Sequence, residues 1–530
     1  MMSHSKVQVV MLRGLLKTWK QPIFFDYDKN MTVELLNSII MAVENVGLQI
    51  YTITCDLGAE NRALLKHLEV TPEKTWIRNP FDEERKVYVF ADVPHMLKLI
   101  RNHVIDDGVL LSDNTLVNRK TLETLLENNG KELKLHPNFS QKSLELNGPE
   151  RMRVRDAAQL LSNRMATLAK RTFPEKPSVA RFFTIINEGF DILNSRIPKD
   201  PKNNLKSGFG LLEKIQTKKL EELADLIGSM RFQRIGKDGK EISKLPLPCQ
   251  LGFLISISSL TQLFKDLRKN LNVTYILTSH LNQDCLESFF SKIRSIGGPN
   301  SNPCASEFRY RYRMVLLGSC CRAPKNTNSL FDEDDYISAE LIEKNDLFCE
   351  SETLTSESDI EIPEDENLQL IENTNIENES LKYLAGYIAW QLKRKGKGIF
   401  GTPSSHVFNI SAIKDSWIHM LSRGGLLFPS DEIYNATLHF NQIFERNIDR
   451  LWTQKDIFKK MYTVIKASQS GKVLDSWILE FVKVRLNIRL KYLNSSKVLS
   501  GVNTKKRKHF HKARCVKTLK VDKCYVKNNE

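Results

Sequence analysis

Over residues 7–91, apolar and polar residues recur in an order that few architectures accept. Residues 7–13 and 21–27 read as two strands joined by a short turn around Trp19. Thr32 stands as a helix N-cap before Val33, Leu36, Ile39, Ile40 and Val43, which recur at helical spacing over 32–46, and Gly47 ends that helix. Residues 48–55 alternate and are β-branched, and they stop at Asp56. A helix fits 59–68, and residues 87–91 form a further strand that stops at Asp92. Strand, strand, helix, strand, helix, strand is a mixed α/β pattern with a crossover.

From 114 to 272 the signal turns helical. An apolar stripe of Val154, Ala157, Ala158, Leu161, Met165 and Leu168 runs over 154–169, and its first role is core. Residues 176–196, 210–230 and 250–270 read as further helices, with a polar Gly/Lys/Pro loop over 235–247. Order returns at 381–395, and a helical region runs on to about 495.

Between these blocks lies a charge partition. The chain of 530 residues carries a net charge of +15, yet residues 331–380 hold eighteen acids and the single base Lys344. That stretch has too little apolar content to offset chain entropy and reads as a disordered linker. The remainder is left with 77 bases against 45 acids, or +32. A body so basic favours a polyanion partner, because each neutralised phosphate releases condensed counterions; a surface charged only for solubility is the plainer alternative. The tail 501–530 adds ten bases against two acids, with a Lys505-Lys506-Arg507-Lys508 cluster that reads as a nuclear localisation signal, a phosphate-binding arm or a solvated tail.

Hydrophobic residues at 41% and charged residues at 27% exclude a wholly disordered or fibrous chain. No run approaches the ~18 apolar residues of a membrane span, and residues 1–10 show no signal-peptide core. Nine irregularly spaced cysteines argue for a reducing compartment. The reading is of a soluble intracellular protein. Cys515, Cys524, His509 and His511 match no standard zinc finger.

Three acids carry the chemical signal. Asp56 and Asp92 each end a strand at its carboxyl end, where open α/β sheets place ligands. Glu287 lies in a helical stretch, 278–294, where Asp284 sits three residues earlier on the same face. Carboxylates converging from strand ends and a helix suit a two-metal phosphoryl-transfer site. Taken singly, an acid ending a strand is more often a helix cap or solvated, and spacing alone does not establish a site.

The stretch 280–303, His-Leu-Asn-Gln-Asp-Cys-Leu-Glu-Ser-Phe-Phe-Ser-Lys-Ile-Arg-Ser-Ile-Gly-Gly-Pro-Asn-Ser-Asn-Pro, resembles the signature of P element transposases and their THAP-type relatives. So do Phe-Ala-Asp-Val-Pro-His-Met-Leu-Lys-Leu-Ile-Arg-Asn at 90–102 (the family usually has Pro where Val93 stands), residues 9–22 and Tyr-Leu-Ala-Gly-Tyr-Ile-Ala at 383–389. The resemblance covers roughly residues 5–320 and part of 380–490. It implies an α/β RNase H-like core with a mixed sheet, interrupted by a mostly helical GTP-binding insertion domain and followed by a helical C-terminal region. The blocks would be 5–113 and 273–325 for the core, 114–272 for the insertion, 331–380 for the linker, 381–495 for the C-terminal domain and 501–530 for the tail.

The family's catalytic triad is Asp, Asp, Glu; its second Asp falls on Asp56 and its Glu on Glu287, which would hold Mg²⁺. The family's Phe-Asp-x-x-Asn-Ser falls on Phe190, Asp191, Asn194 and Ser195, and its Lys-Leu-x-x-x-His-like segment is matched at Lys134. Asp191, Asn194 and Lys134 are therefore the GTP-binding candidates: a carboxylate accepts both guanine N1–H and its 2-amino group, and a lysine meets phosphate. A helix-end acid and amide is the other reading of Asp191 and Asn194. No Gly-x-x-x-x-Gly-Lys-Ser/Thr loop occurs in the insertion, which disfavours a conventional GTPase.

Two family features are missing from the sequence. The first cysteine is Cys55, so no N-terminal THAP finger is readable, and no Asp or Glu precedes Asp26 to serve as the first catalytic Asp. Asp26 and Asp28 do not substitute, because the third strand of an RNase H-like sheet lies at its edge. The expectation is a nuclear transposase or transposase-derived protein acting on transposon ends and target DNA with Mg²⁺ and GTP, as a homo-oligomer, and catalytically incomplete. The alternative is a domesticated, non-catalytic nuclear DNA-binding protein.

Overall fold

The computed structural model describes residues 6–201, 203–236, 239–243, 246–296, 303–316, 375–396, 401–403, 416–421, 427–452, 454, 456–468 and 475–499. The acidic stretch up to residue 374 and the basic tail with its Cys/His set lie outside the described residues. The chain divides into two compact units, one of residues 1–128 and 138–355 and one of 129–137 and 356–530.

The first unit begins with an antiparallel hairpin of β1 (Val7–Arg13) and β2 (Lys20–Tyr27), where the sequence placed it. Helix α1 (Val33–Asn45) starts at Thr32, whose hydroxyl accepts the Leu35 N–H. Next come β3 (Thr52–Cys55), α2 (Ala59–His67), β4 (Trp76–Arg78), β5 (Lys86–Ala91) and α3 (Val93–Asp106). These strands form a mixed sheet in the order β3-β5-β4, with β3 parallel and β4 antiparallel to β5. The strand read over 48–55 is shorter than expected: its pairing with β5 begins at Thr52, opposite Tyr88. The three residues of β4 are too few to show a period in the sequence.

Residues 109–242 form small strands and helices: β6 (Val109–Leu110), β7 (Leu116–Val117), α4 (Arg119–Glu127), α5 (Gly148–Arg151), α6 (Val154–Leu160), α7 (Asn163–Thr172), α8 (Pro177–Leu193), α9 (Glu213–Ser229), β8 (Arg231–Gly236) and β9 (Gly239–Ile242). The stripe read as one helix over 154–169 is two helices. Ser162 accepts the Met165 N–H through its hydroxyl and so starts a new helix in mid-stripe. The segment read as a loop over 235–247 contains the β8–β9 hairpin, and β8 pairs with β6. Helices α8 and α9 approach closely because Gly189 has no side chain: a Cβ there would lie 2.4 Å from Leu223 Cδ2.

Helix α10 (Pro248–Leu271) covers the sheet and explains its own serines. β4 pairs with β5 only as far as Tyr88, leaving backbone groups beyond it to be satisfied. Ser256 Oγ accepts the Ala91 N–H at 3.1 Å, and Ser259 Oγ donates to the Val89 carbonyl at 2.6 Å. Gly252 lets the helix approach Met96 and Leu57. A 3-10 turn over Thr278–Leu281 then leads into α11 (Asp284–Ser295), and α12 (Ala305–Leu316) is the last described element of the unit. Phe289, Ile293, Phe308 and Tyr312 of these two helices form a buried cluster on Val9, Met11 and Phe25 of the hairpin.

In the second unit, α13 (Asn375–Arg394) buries Leu381, Leu384, Ile388 and Leu392. It packs on β11 (Leu427–Pro429), which pairs with β10 (Gly401–Pro403); Gly386 lies where a Cβ would meet the Leu427 carbonyl oxygen. A short helix α14 (Trp417–Leu421) and three longer ones, α15 (Asp431–Leu451), α16 (Ile457–Ala467) and α17 (Asp475–Leu499), complete the unit. Arg485, buried on α17, ion-pairs with Glu132 and Glu445 and donates to Asn441 Oδ1 at 2.8 Å. That pairing fastens segment 129–137 into this unit. Among the described residues no helix is long and apolar enough to cross a membrane.

Candidate active site

Parallel pairing sets the first two acids side by side. Cys55 of β3 faces Ala91 of β5 in register, so the next residues, Asp56 and Asp92, leave the same end of adjacent strands. The segment before α11 is docked on that end. Thr54 Oγ1 donates to the Leu281 carbonyl at 3.2 Å, and the Gln283 N–H donates to Asp92 Oδ1 at 3.0 Å. Glu287, in the first turn of α11, therefore stands over the sheet end that carries Asp56.

Each carboxylate has a distinct environment. Asp56 uses Oδ1 to accept the Gly58 N–H at 2.9 Å and Asn61 Nδ2 at 2.8 Å; neither bond uses Oδ2. Asp92 is 2% exposed, and burial pushes its carboxyl up to about 7, aided by the nearby charges of Asp284 and Glu287 and opposed by the Gln283 N–H and Lys98. Asp284, also buried, is raised by burial and pulled back mainly by Arg196, whose Nη2 lies 3.0 Å from Oδ2. Glu287 is raised by burial and opposed by Lys98, whose Nζ is 3.7 Å from Oε1. Its Oε2 is buried and accepts no hydrogen bond. No hydrogen bond or ion pair joins Asp56 to Glu287 among the described residues; the charge of Glu287 acts on Asp92.

The cations that tame this acid cluster escaped the sequence reading. Lys98, only 2% exposed, lies within the quoted 90–102 motif, and Arg196 directly follows Ser195. Arg13 of the hairpin donates to the Ser279 carbonyl at 2.8 Å and acts on Asp284. Their motif membership was the available signal; their distance in sequence from the acids concealed the pairing.

The residues of the 190–195 motif are strongly engaged. Asp191, in the last turn of α8, accepts Asn187 Nδ2 at 3.1 Å and Asn203 Nδ2 at 2.7 Å, with Lys206 Nζ 3.8 Å away. Asn194 ends the helix and accepts Asn282 Nδ2 at 3.1 Å. Ser195 exchanges hydrogen bonds with Thr278 through backbone and hydroxyl groups. The motif thus joins the end of α8 to the segment that carries α11. Lys134 belongs to segment 129–137 of the second unit, where burial lowers its ammonium pKa.

Magnesium is commonly held by one or two protein carboxylates, with water completing its shell. Asp56 and the orphaned Oε2 of Glu287 are donors of that type. Among the described residues no three His, Cys, Asp or Glu side chains gather into a metal-holding group. For guanine, the Asp191 carboxylate as placed is committed to side-chain amides, so accepting N1–H and the 2-amino group requires Asn203 to withdraw.

Comparison with known proteins agrees with this layout. Residues 2–69 match the TNP-like RNase H N-terminal domain, 94–206 the TNP-like GTP-binding insertion domain, and 279–313 the TNP-like RNase H C-terminal domain. The chain is 28% identical over 504 residues to the transposable element P transposase of Drosophila melanogaster, covering 92% of this chain and 63% of the relative. It is 22% identical over 496 residues to the human DNA transposase THAP9, covering 89% of this chain and 48% of that protein. The chain thus spans less than two thirds of either curated relative. Its fold superposes on the Drosophila P element transposase strand transfer complex with a TM-score of 0.55 and 32% identity, over 59% of this chain and 70% of that one. RNase H-like parts flanking a GTP-binding insertion place this chain in the P element transposase family.

Proposed function

We propose that this chain is a P-element-like transposase, or a protein derived from one, that binds DNA and performs phosphoryl transfer at the sheet end carrying Asp56 and Glu287. The observation that supports this reading is the docking of the segment leading into α11, the helix of Glu287, on the sheet end that Asp56 and Asp92 follow. Mg²⁺ held by Asp56 and Glu287 would supply charge stabilisation to the attacking and leaving oxygens of a phosphodiester. The chain's own part is positional. Asp92 fixes the start of α11 through the Gln283 N–H, and Lys98 opposes the burial that raises the Glu287 carboxyl. GTP belongs to the insertion, with Asp191 and Asn194 at its joint with α11. The relative's strand transfer complex supports DNA, at transposon ends and target, as substrate. The basic cluster 505–508 supports the nucleus as the place of work, and strand transfer at paired ends suits an oligomer of this chain.

A non-catalytic, domesticated DNA-binding protein is the second reading. One observation favours it: the Lys98 ammonium already stands 3.7 Å from Glu287 Oε1, a resident cation beside the acid a metal would use. A Mg²⁺-dependent nicking assay on supercoiled DNA separates the two. Cleavage that disappears in both Asp56→Ala and Glu287→Ala supports the first. DNA binding with no cleavage at any Mg²⁺ concentration supports the second.

A further inference from the structure

The motif over residues 9–22 has a feature that hairpin formation does not use. Its turn presents Leu16, 53% exposed, and Trp19, 39% exposed, between the exposed lysines Lys17 and Lys20. A tight turn ordinarily carries small polar residues at such positions, and a large exposed apolar pair is the informative exception. The indole is also held in one orientation. The Gly14 N–H donates to the Trp19 carbonyl at 2.9 Å and the Trp19 N–H to the Lys17 carbonyl at 3.1 Å. A Cβ on Gly14 would come within 2.6 Å of Trp19 Nε1, so only glycine lets the ring lie against the backbone there.

The turn is tied to the acid site. His280 Nδ1–H donates to the Leu15 carbonyl at 2.9 Å, and Arg13 Nη1 donates to the Ser279 carbonyl at 2.8 Å, both in the turn that leads into α11. A fixed aromatic face flanked by ammonium groups is the pattern that takes an unstacked base with its phosphates.

We propose that the β1–β2 turn is a stacking platform for an unpaired DNA end: Trp19 receives a splayed base, Lys17 and Lys20 meet the adjoining phosphates, and the strand is led towards the acids at Asp56 and Glu287. This rests on the DNA-acting reading above and specifies which part of the substrate the turn contacts. Because the ring is preordered by Gly14, stacking costs little side-chain entropy.

The test compares the full-length protein on two probes, a short blunt duplex and the same duplex with a single-stranded 3′ tail carrying 2-aminopurine. Trp19→Ala should weaken binding of the tailed probe about tenfold, remove the quenching of 2-aminopurine, and leave the blunt duplex unchanged. Trp19→Phe should restore most of the loss. Circular dichroism identical to the parent protein confirms that each variant is folded. Equal affinity of Trp19→Ala and the parent protein for the tailed probe would overturn the platform while leaving DNA binding intact. Binding of neither probe by the parent protein would overturn both this inference and the DNA-acting reading.

Discussion

At the residue scale, Asp92 has the most unusual environment. Its carboxyl is pushed up to about 7 by burial, so between about pH 4 and 7 the folded protein keeps a proton that the unfolded chain releases. The stability supplied by that proton is complete below about pH 4 and is lost as pH rises through 7. Urea midpoints should therefore fall between about pH 4 and pH 7 and level off above it, with a total effect of up to about 4 kcal/mol for a shift of this size. Asp92→Asn keeps an oxygen for the Gln283 N–H and cannot titrate, so its midpoint should vary less over that range. The residual slope belongs to Asp284 and Glu287, which are raised in the same direction. An unchanged slope in Asp92→Asn would contradict this environment. The sequence displayed Asp92 as an acid ending a strand; that its partner is an amide 191 residues away is long-range information no local pattern carries.

At the element scale, α11 is positioned from both ends. Its start is held on the sheet, and its far face is held by aromatic contacts: Phe25 lies 4.6 Å from Tyr312 and 5.5 Å from Phe308, ring centre to ring centre, and Phe289 lies 5.9 Å from Tyr312. Phe308→Ala should cost about 3–5 kcal/mol in urea unfolding, because a buried ring is lost from a packed cluster. A loss below about 1 kcal/mol would show that α12 does not brace the hairpin. Elements with a strong local period were legible, as β1, β2, α1 and α8 illustrate. The misreadings have local physical causes. Ser162 hides a helix start inside an apolar stripe, and the hairpin β8–β9 is polar because β8 gains its order from pairing with β6. The serines of α10 look like surface residues until the short reach of β4 shows what they satisfy.

At the scale of the whole molecule, charge is partitioned along the chain, with +32 outside the segment 331–380. Association with duplex DNA should be strongly salt-dependent: if six or more phosphates are neutralised, affinity falls by about a thousandfold or more between 50 and 200 mM salt. Removing residues 501–530, with their ten bases, should flatten that slope; a slope near zero in the full chain would contradict a phosphate-reading role. The order of core, insertion and core was legible from motifs because each motif is a short contiguous stretch of sequence. The meeting of Asp56 with Glu287 across the insertion is an expectation drawn from resemblance; what the geometry adds is the docking of the segment before α11 on β3 and β5. The most direct measurement of that meeting is Mn²⁺ binding, as a stand-in for Mg²⁺, followed by electron paramagnetic resonance on the full-length protein. Saturable binding that is lost in Asp56→Ala and equally in Glu287→Ala is the predicted result; binding that survives either substitution would contradict a single site shared by the two acids.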